Sequence, residues 1–214
     1  YNFHLDNDPN FTLADGVTGF ADKSLSNASS GAQAAIKNYY DAGTLNWHFF
    51  HSNCTAAVFG NGTNWDGIRF RAAKTGAEYL ALKIKSPGAG TFDLTLSYQQ
   101  QSTGTTGQMY ILPGNTASGN ILTAVAAATP VISYDAQNAT KQNTTSAGSF
   151  TFEADAVYTL VFYTEQNNHA YLLSLDAEPV QAPPQETTAP QSVTMDYNFH
   201  LDNDPNFTLA DGVT

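Results

Sequence analysis

Glu78-Tyr-Leu-Ala-Leu-Lys-Ile-Lys-Ser-Pro-Gly-Ala-Gly-Thr-Phe-Asp-Leu-Thr-Leu96 contains two strands and the turn between them. In the first, Leu80, Leu82 and Ile84 share one face while Lys83 and Lys85 point the other way. In the second, Phe92, Leu94 and Leu96 alternate with Asp93, Thr95 and Ser97. Period-two alternation of this kind marks a half-buried strand. Ser86-Pro-Gly-Ala-Gly90 has turn chemistry, so the two strands are expected to pair as a hairpin.

Strand signals continue on both sides. Leu45–Phe50, Ile68–Arg71, Gln108–Leu112, Val131–Tyr134, Phe150–Glu153, Val157–Tyr163 and Ala170–Leu175 are short β-branched or aromatic runs broken by Gly, Asn and Pro. One helix is expected where Ala32, Ala35, Ile36 and Tyr39 recur at helical spacing, with Ser29 or Ser30 to cap it and Gly43 to end it. The expectation is an all-β fold, a jelly-roll type β-sandwich of about ten strands with one short helix.

The ends of the chain carry a second message. YNFHLDNDPNFTLADGVT occupies Tyr1–Thr18 and returns unchanged at Tyr197–Thr214, an offset of 196 residues. Self-similarity at a fixed period marks a repeat array. This period is long enough for each unit to be a whole domain. Residues 1–180 are expected to form the β-sandwich repeat unit and 181–196, rich in Pro, Gln and Thr, a semi-extended linker. Residues 197–214 then begin the next identical repeat. Tyr1, Phe3 and Leu5 alternate with Asn2 and His4, so each copy reads as a strand with one apolar face. Either each copy completes its own unit, or each completes the unit before it by strand donation. Donation would build a head-to-tail filament from adjacent repeats or neighbouring chains.

Composition narrows the partners. Charged residues are 13% of the chain and aromatics 12%, the balance of a β-rich extracellular protein. The net charge is −11, and after Lys141 ten acidic residues follow with no Lys or Arg. Such a field repels phosphate backbones and anionic membrane surfaces, so neither nucleic acid nor membrane insertion is expected. No apolar run approaches the roughly 20 residues that span a bilayer. Cys54 is the single cysteine, which excludes an intramolecular disulfide. It lies in one of six N-x-S/T sequons of the 196-residue unit, at Asn10, Asn27, Asn53, Asn61, Asn138 and Asn143. A secreted or cell-surface location fits these features.

No nucleophile elbow, P-loop, HExxH or dinucleotide fingerprint occurs, so an enzyme is not expected. Glu153 and Asp155 could share a strand face but border a turn. His48 and His51, three apart on one strand, are expected on opposite faces. Asp6-Asn7-Asp8-Pro9-Asn10 sets three oxygen side chains at alternate positions, Asp6, Asp8 and Asn10, as at the start of a calcium loop. Phe11 and Val17 then depart from an EF-hand, and Asx residues around Pro are also ordinary turn formers. Trp65, in Gly60-Asn-Gly-Thr-Asn-Trp-Asp-Gly67, is the aromatic expected to be partly exposed and to stack on a sugar ring. The other outcome for it is a ring folded back over the sandwich end. Asn167 and Asn168 precede the last strand, where paired amides could read hydroxyls or simply form a turn. All lysines lie in outward or polar settings, so no Lys–Asn isopeptide bond is expected.

The Glu78–Leu96 segment resembles the strand–PxAGTY–strand hairpin of lectin-like β-sandwich carbohydrate-binding modules. Ala154-Asp-Ala-Val-Tyr-Thr-Leu-Val-Phe162 and Ala170-Tyr-Leu-Leu-Ser-Leu175 are similar to that family's closing strands. The resemblance covers about a third of the chain and lacks the family's N-terminal Glu-Ala-Glu. It implies a non-catalytic β-sandwich repeat of a tandem-repeat bacterial surface protein, with a glycan contacted through Asn167 or Asn168. An adhesin or stalk unit is the expected role. A filament subunit and an accessory domain of a secreted glycoside-active enzyme are the other readings.

Overall fold

The computed structural model describes residues 1–4, 31–43, 45–59, 68–72, 76–100, 106–134, 143–165 and 168–181. Two antiparallel sheets face each other, so the all-β sandwich is as expected. The six-stranded sheet holds β1 (Asn2–His4), β3 (Ala56–Phe59), β4 (Ile68–Ala72), β6 (Gly90–Gln100), β9 (Asn143–Phe152) and β11 (Asn168–Pro179). The five-stranded sheet runs β2 (Trp47–Ser52), β5 (Glu78–Lys85), β10 (Val157–Thr164), β7 (Gly107–Pro113) and β8 (Ile132–Tyr134).

The expected hairpin is not formed. β5 pairs with β2 and β10, whereas β6 pairs with β11 and β9. Ser86–Ala89 carries the chain from one sheet to the other, so Leu80, Leu82 and Ile84 look across the core toward Phe92, Leu94 and Leu96. Alternation sets which side chains are buried but leaves open whether two strands lie side by side or face to face. The corner is fastened by the Ser86 amide donating to Ala156 O (2.9 Å), and Ala156 belongs to the β9–β10 crossover. Glu153 and Asp155, both exposed, flank that same turn.

Trp47, Phe70, Tyr98, Tyr134, Phe152 and Phe162 fill the interior. On one side the sandwich is closed by its two edge strands, where Gly148 of β9 lies under the backbone before β8. A Cβ on Gly148 would come within 2.1 Å of Val131 O.

Two helices flank the five-stranded sheet. α1 (Gly31–Asp41) buries Ile36 and Tyr40 and ends with the Gly43 amide donating to Tyr40 O (3.1 Å). Ser29 and Ser30 lie outside the described residues. α2 (Ile121–Ala127) is an addition that the expected one-helix pattern did not contain. Its Ile121 and Val125, one turn apart, cover Tyr79, Ala81, Tyr110, Leu112 and Val161 on the outer face of the sheet. β5 is therefore buried on both faces over Glu78–Leu82.

The first four residues of the repeated segment pair within this chain. Asn2, Phe3 and His4 pair with Asp176, Leu175 and Ser174 of β11. Phe3 is fully buried in the core, and Ala177 N–H donates to Tyr1 O (2.8 Å). The Tyr197–Leu201 ladder, and with it the second copy, lies outside the described residues. So does the linker beyond Gln181.

Candidate functional site

The residues singled out by sequence are not brought together among the described residues. Trp65, Asn167, Asp6, Asp8 and Asn10 lie outside them. Asn168 opens β11 opposite Ala72, and only its backbone is described. Among the described residues, no group of three or more His, Cys, Asp or Glu is placed to hold a metal.

A different site is built on β2. Its register against β5 runs Trp47↔Ile84, His48↔Lys83 and Phe49↔Leu82, then His51↔Ala81 and Ser52↔Leu80. Phe50 is the extra residue of a β-bulge, which shifts every later side chain by one face. Strict alternation predicts opposite faces for His48 and His51. Because Lys83 and Ala81 share a face of β5, the bulge puts both histidines on the outer face instead. The sequence Trp47-His-Phe-Phe-His51 carries no signal for that extra residue.

α1 runs beside this face. Tyr40 meets the His48 ring edge-on at 4.5 Å between centroids, while Lys85 Nζ donates to Tyr40 O (2.6 Å) and sits 4.5 Å from the centre of the Tyr40 ring. Between helix and sheet lies an open groove of about 640 Å³. Gln33, Ala34 and Lys37 form its helical wall, and His48–Ser52 with Lys83 form its floor. Lys83 Nζ stands 4.6 Å from the centre of the Phe50 ring.

Hydrogen bonds set the donor pattern. His48 Nδ1 is 2.6 Å from Phe49 O, a carbonyl that can only accept, so Nδ1 carries the proton. His51 Nδ1 is 2.6 Å from Tyr79 Oη, and the Tyr79 hydroxyl donates onward to Ser118 O (3.2 Å). That hydroxyl proton is used, so His51 Nδ1 is also the donor. In its neutral form each imidazole therefore presents Nε2 as an acceptor. Burial pushes the His48 imidazole below its ordinary range, and Lys83 and Lys37 push it further against the Phe49 carbonyl bond. Burial also lowers the Lys83 ammonium, with the Lys37 charge acting in the same direction. The groove thus offers cationic donors, two imidazole acceptors and an aromatic ring.

A smaller hollow of about 390 Å³ lies at the β9–β10 corner, lined by Phe150, Tyr158, Pro113 and Glu153. The Glu153 amide donates to Tyr158 Oη (2.8 Å), and Phe150 and Phe152 meet the Tyr158 ring edge-on, so its polar atoms already serve the fold.

No family model matches the chain, and no curated protein matches it. Among solved structures it is similar to the C-terminal CBM6 of LamC, a marine laminarinase of Zobellia galactanivorans, at 12% identity and TM-score 0.42. That alignment covers 61% of this chain and 92% of the module. It is similar to a family 35 carbohydrate-binding module from an environmental isolate at 9% identity and TM-score 0.43, over 63% of this chain and 93% of that one. The carbohydrate-binding module CBM36, solved with calcium and xylotriose, aligns at 12% identity and TM-score 0.40, over 63% of this chain and all of that one.

Proposed function

We propose that residues 1–180 are a non-catalytic, glycan-binding repeat of a secreted or cell-surface adhesin or stalk. The observation that carries this reading is the open groove between α1 and the bulged strand β2. Shallow sites that combine an aromatic ring with a few fixed polar groups suit sugar rings, whose faces are apolar and whose edges are hydroxyls. Tandem units multiply weak affinity through effective concentration, which suits adhesion. The same binding would serve an accessory domain of a secreted glycoside-active enzyme. Trp65, Asn167 and Asn168 stay proposed as further contacts, and Asp6, Asp8 and Asn10 as a calcium loop. Among the described residues no helix is long and apolar enough to cross a membrane. A glycan array probed with the whole chain tests the reading. Binding of a saccharide class that weakens in Phe50→Ala or Trp65→Ala supports it, and an array without signal overturns it. For calcium, a rise in thermal midpoint that disappears in Asp6→Asn is the supporting result.

A second reading is assembly by strand donation. It is favoured by the seating of β1 on β11, since Tyr197-Asn-Phe-His200 repeats Tyr1–His4 residue for residue. In another copy of the chain that segment meets a slot already matched to it in register and apolar face. Phe3→Ala weakens the resident strand and should yield concentration-dependent oligomers on size exclusion. The double variant Phe3→Ala/Phe199→Ala should stay monomeric. Monomers from both would remove this reading.

A further inference from the structure

We infer that the groove between α1 and β2 takes an anionic saccharide, one bearing carboxylate or sulfate groups; this rests on the glycan-binding reading and names its ligand class. The first observation is where the positive charge lies. The chain has 8 Lys and Arg against 19 Asp and Glu, yet two of those lysines, Lys37 and Lys83, line this one groove. Lys37 and Lys83 repel each other across it, a cost that a bound anion would relieve.

The second observation is how these cations are held. Lys37 pairs with Asp41 one helical turn on. Lys85 is committed to the Tyr40 carbonyl and ring. Lys83 has no carboxylate partner among the described residues and rests over the Phe50 ring instead. The groove floor, His48–Ser52 and Lys83, contains no acidic residue. Asp41 offsets the Lys37 charge only in part, since burial and Lys37 still hold the Lys83 ammonium below its ordinary range. A half-buried ammonium so placed, beside a buried imidazole, is a poised anion site, because a bound carboxylate or sulfate removes the repulsion that remains.

The third observation is what surrounds the charge. A simple phosphate-sized ion would not need a groove of about 640 Å³ with an aromatic ring in its floor. The two imidazole Nε2 acceptors suit sugar hydroxyls as donors, and the Phe50 ring suits the apolar face of a pyranose. The lysines alone ask for negative charge. Together they describe a charged sugar better than a neutral one.

The test uses the whole 214-residue chain and three probes: oligogalacturonate, a sulfated oligosaccharide, and a neutral galactan of matching length. Binding is followed by calorimetry at low and high salt. One or both anionic probes should bind, at least about tenfold more weakly in Lys83→Gln, a change in keeping with loss of a charged hydrogen bond. The complex should also weaken between 50 and 500 mM NaCl as the charges are screened, by about tenfold or more. The two anionic probes separate carboxylate from sulfate recognition. Equal binding of the neutral galactan, or anionic binding unchanged by Lys83→Gln, would overturn the inference while leaving glycan binding in place. Failure of every saccharide, on these probes and on a broad array, would remove both. Thermal midpoints of wild type and Lys83→Gln, measured alongside, separate loss of a contact from loss of folding.

Discussion

The Tyr134 ring lies against the backbone of Gly107, so close that a Cβ there would come within 2.3 Å of the ring's Cζ. The two residues are paired across β7 and β8. Tyr134 is fully buried, stacks obliquely on Tyr98 at 5.3 Å and meets Phe162 edge-on, and its hydroxyl has no hydrogen-bond partner among the described residues. Burial holds its phenol well above the ordinary value. Gly107→Ala forces the ring off its seat and should cost about 1–3 kcal/mol. Tyr134→Phe removes an unsatisfied buried group at nearly constant shape and should be neutral or stabilising. Urea midpoints of the two variants check both signs, and a destabilised Tyr134→Phe would show that the hydroxyl has a partner.

Asn53 latches the start of β5 to the loop after β2. Its Oδ1 accepts from the Tyr79 amide (2.6 Å) and its Nδ2 donates to Ala77 O (3.2 Å). Asn53→Ala orphans both backbone groups and should cost about 1–3 kcal/mol, or roughly 2–12 °C in thermal midpoint. The same bonds occupy the amide nitrogen that a glycan would need. Intact mass after expression in a glycosylating host should therefore show the sequon at Asn53 unmodified in folded protein.

Cys54 follows in the same loop and packs against the core. Burial pushes its thiol up to about 11. The thiolate is the reactive species, so the native thiol should react with a disulfide reagent at pH 8 about 100-fold more slowly than the urea-unfolded chain. Equal rates in the two states would place Cys54 at the surface.

Much of the fold was legible because burial follows alternation. Leu80, Leu82, Ile84, Phe92, Leu94 and Leu96 are all in the core, and Trp47 is fully buried as an apolar strand position should be. What alternation does not encode is which strands are neighbours, and so the Ser86–Gly90 turn gave a hairpin where the chain crosses between sheets. β3, only four residues long, is too short for alternation to show, and the first half of β9, made of Asn, Thr, Ser and Ala, lacks the large apolar side chains that make a strand visible. α2 is a seven-residue apolar run whose periodicity is too short to separate helix from strand. The groove was the least legible feature, since its geometry depends on one unpaired residue, Phe50. A bulge is a fact of register against β5, and nothing in β2 alone reveals it.

The pH dependence of stability follows from His48. It is 7% exposed, and the groups facing it are Lys83 on β5, Lys37, Tyr40 and Asp41 on α1, and His51 on its own strand. Burial, with Lys83 and Lys37, holds its folded-state pKa below the unfolded value of about 6.5; Asp41 and the Phe49 carbonyl oppose without reversing the shift. Above that value both states carry a neutral imidazole, and the contribution to stability is fully present. As pH falls, the unfolded chain takes up the proton first, so folding is progressively opposed until the folded-state pKa is passed. The urea midpoint should therefore be flat from pH 8 to about 6.5 and decline below it. The part due to His48 should be missing in His48→Gln, which removes the titration at similar volume. Carboxylates begin to contribute only nearer their own range, so the window from about 6.5 to 5 isolates the imidazoles. Superimposable profiles for wild type and His48→Gln in that window would mean that His48 titrates alike in both states, and that the repulsion from Lys83 and Lys37 is too weak to matter.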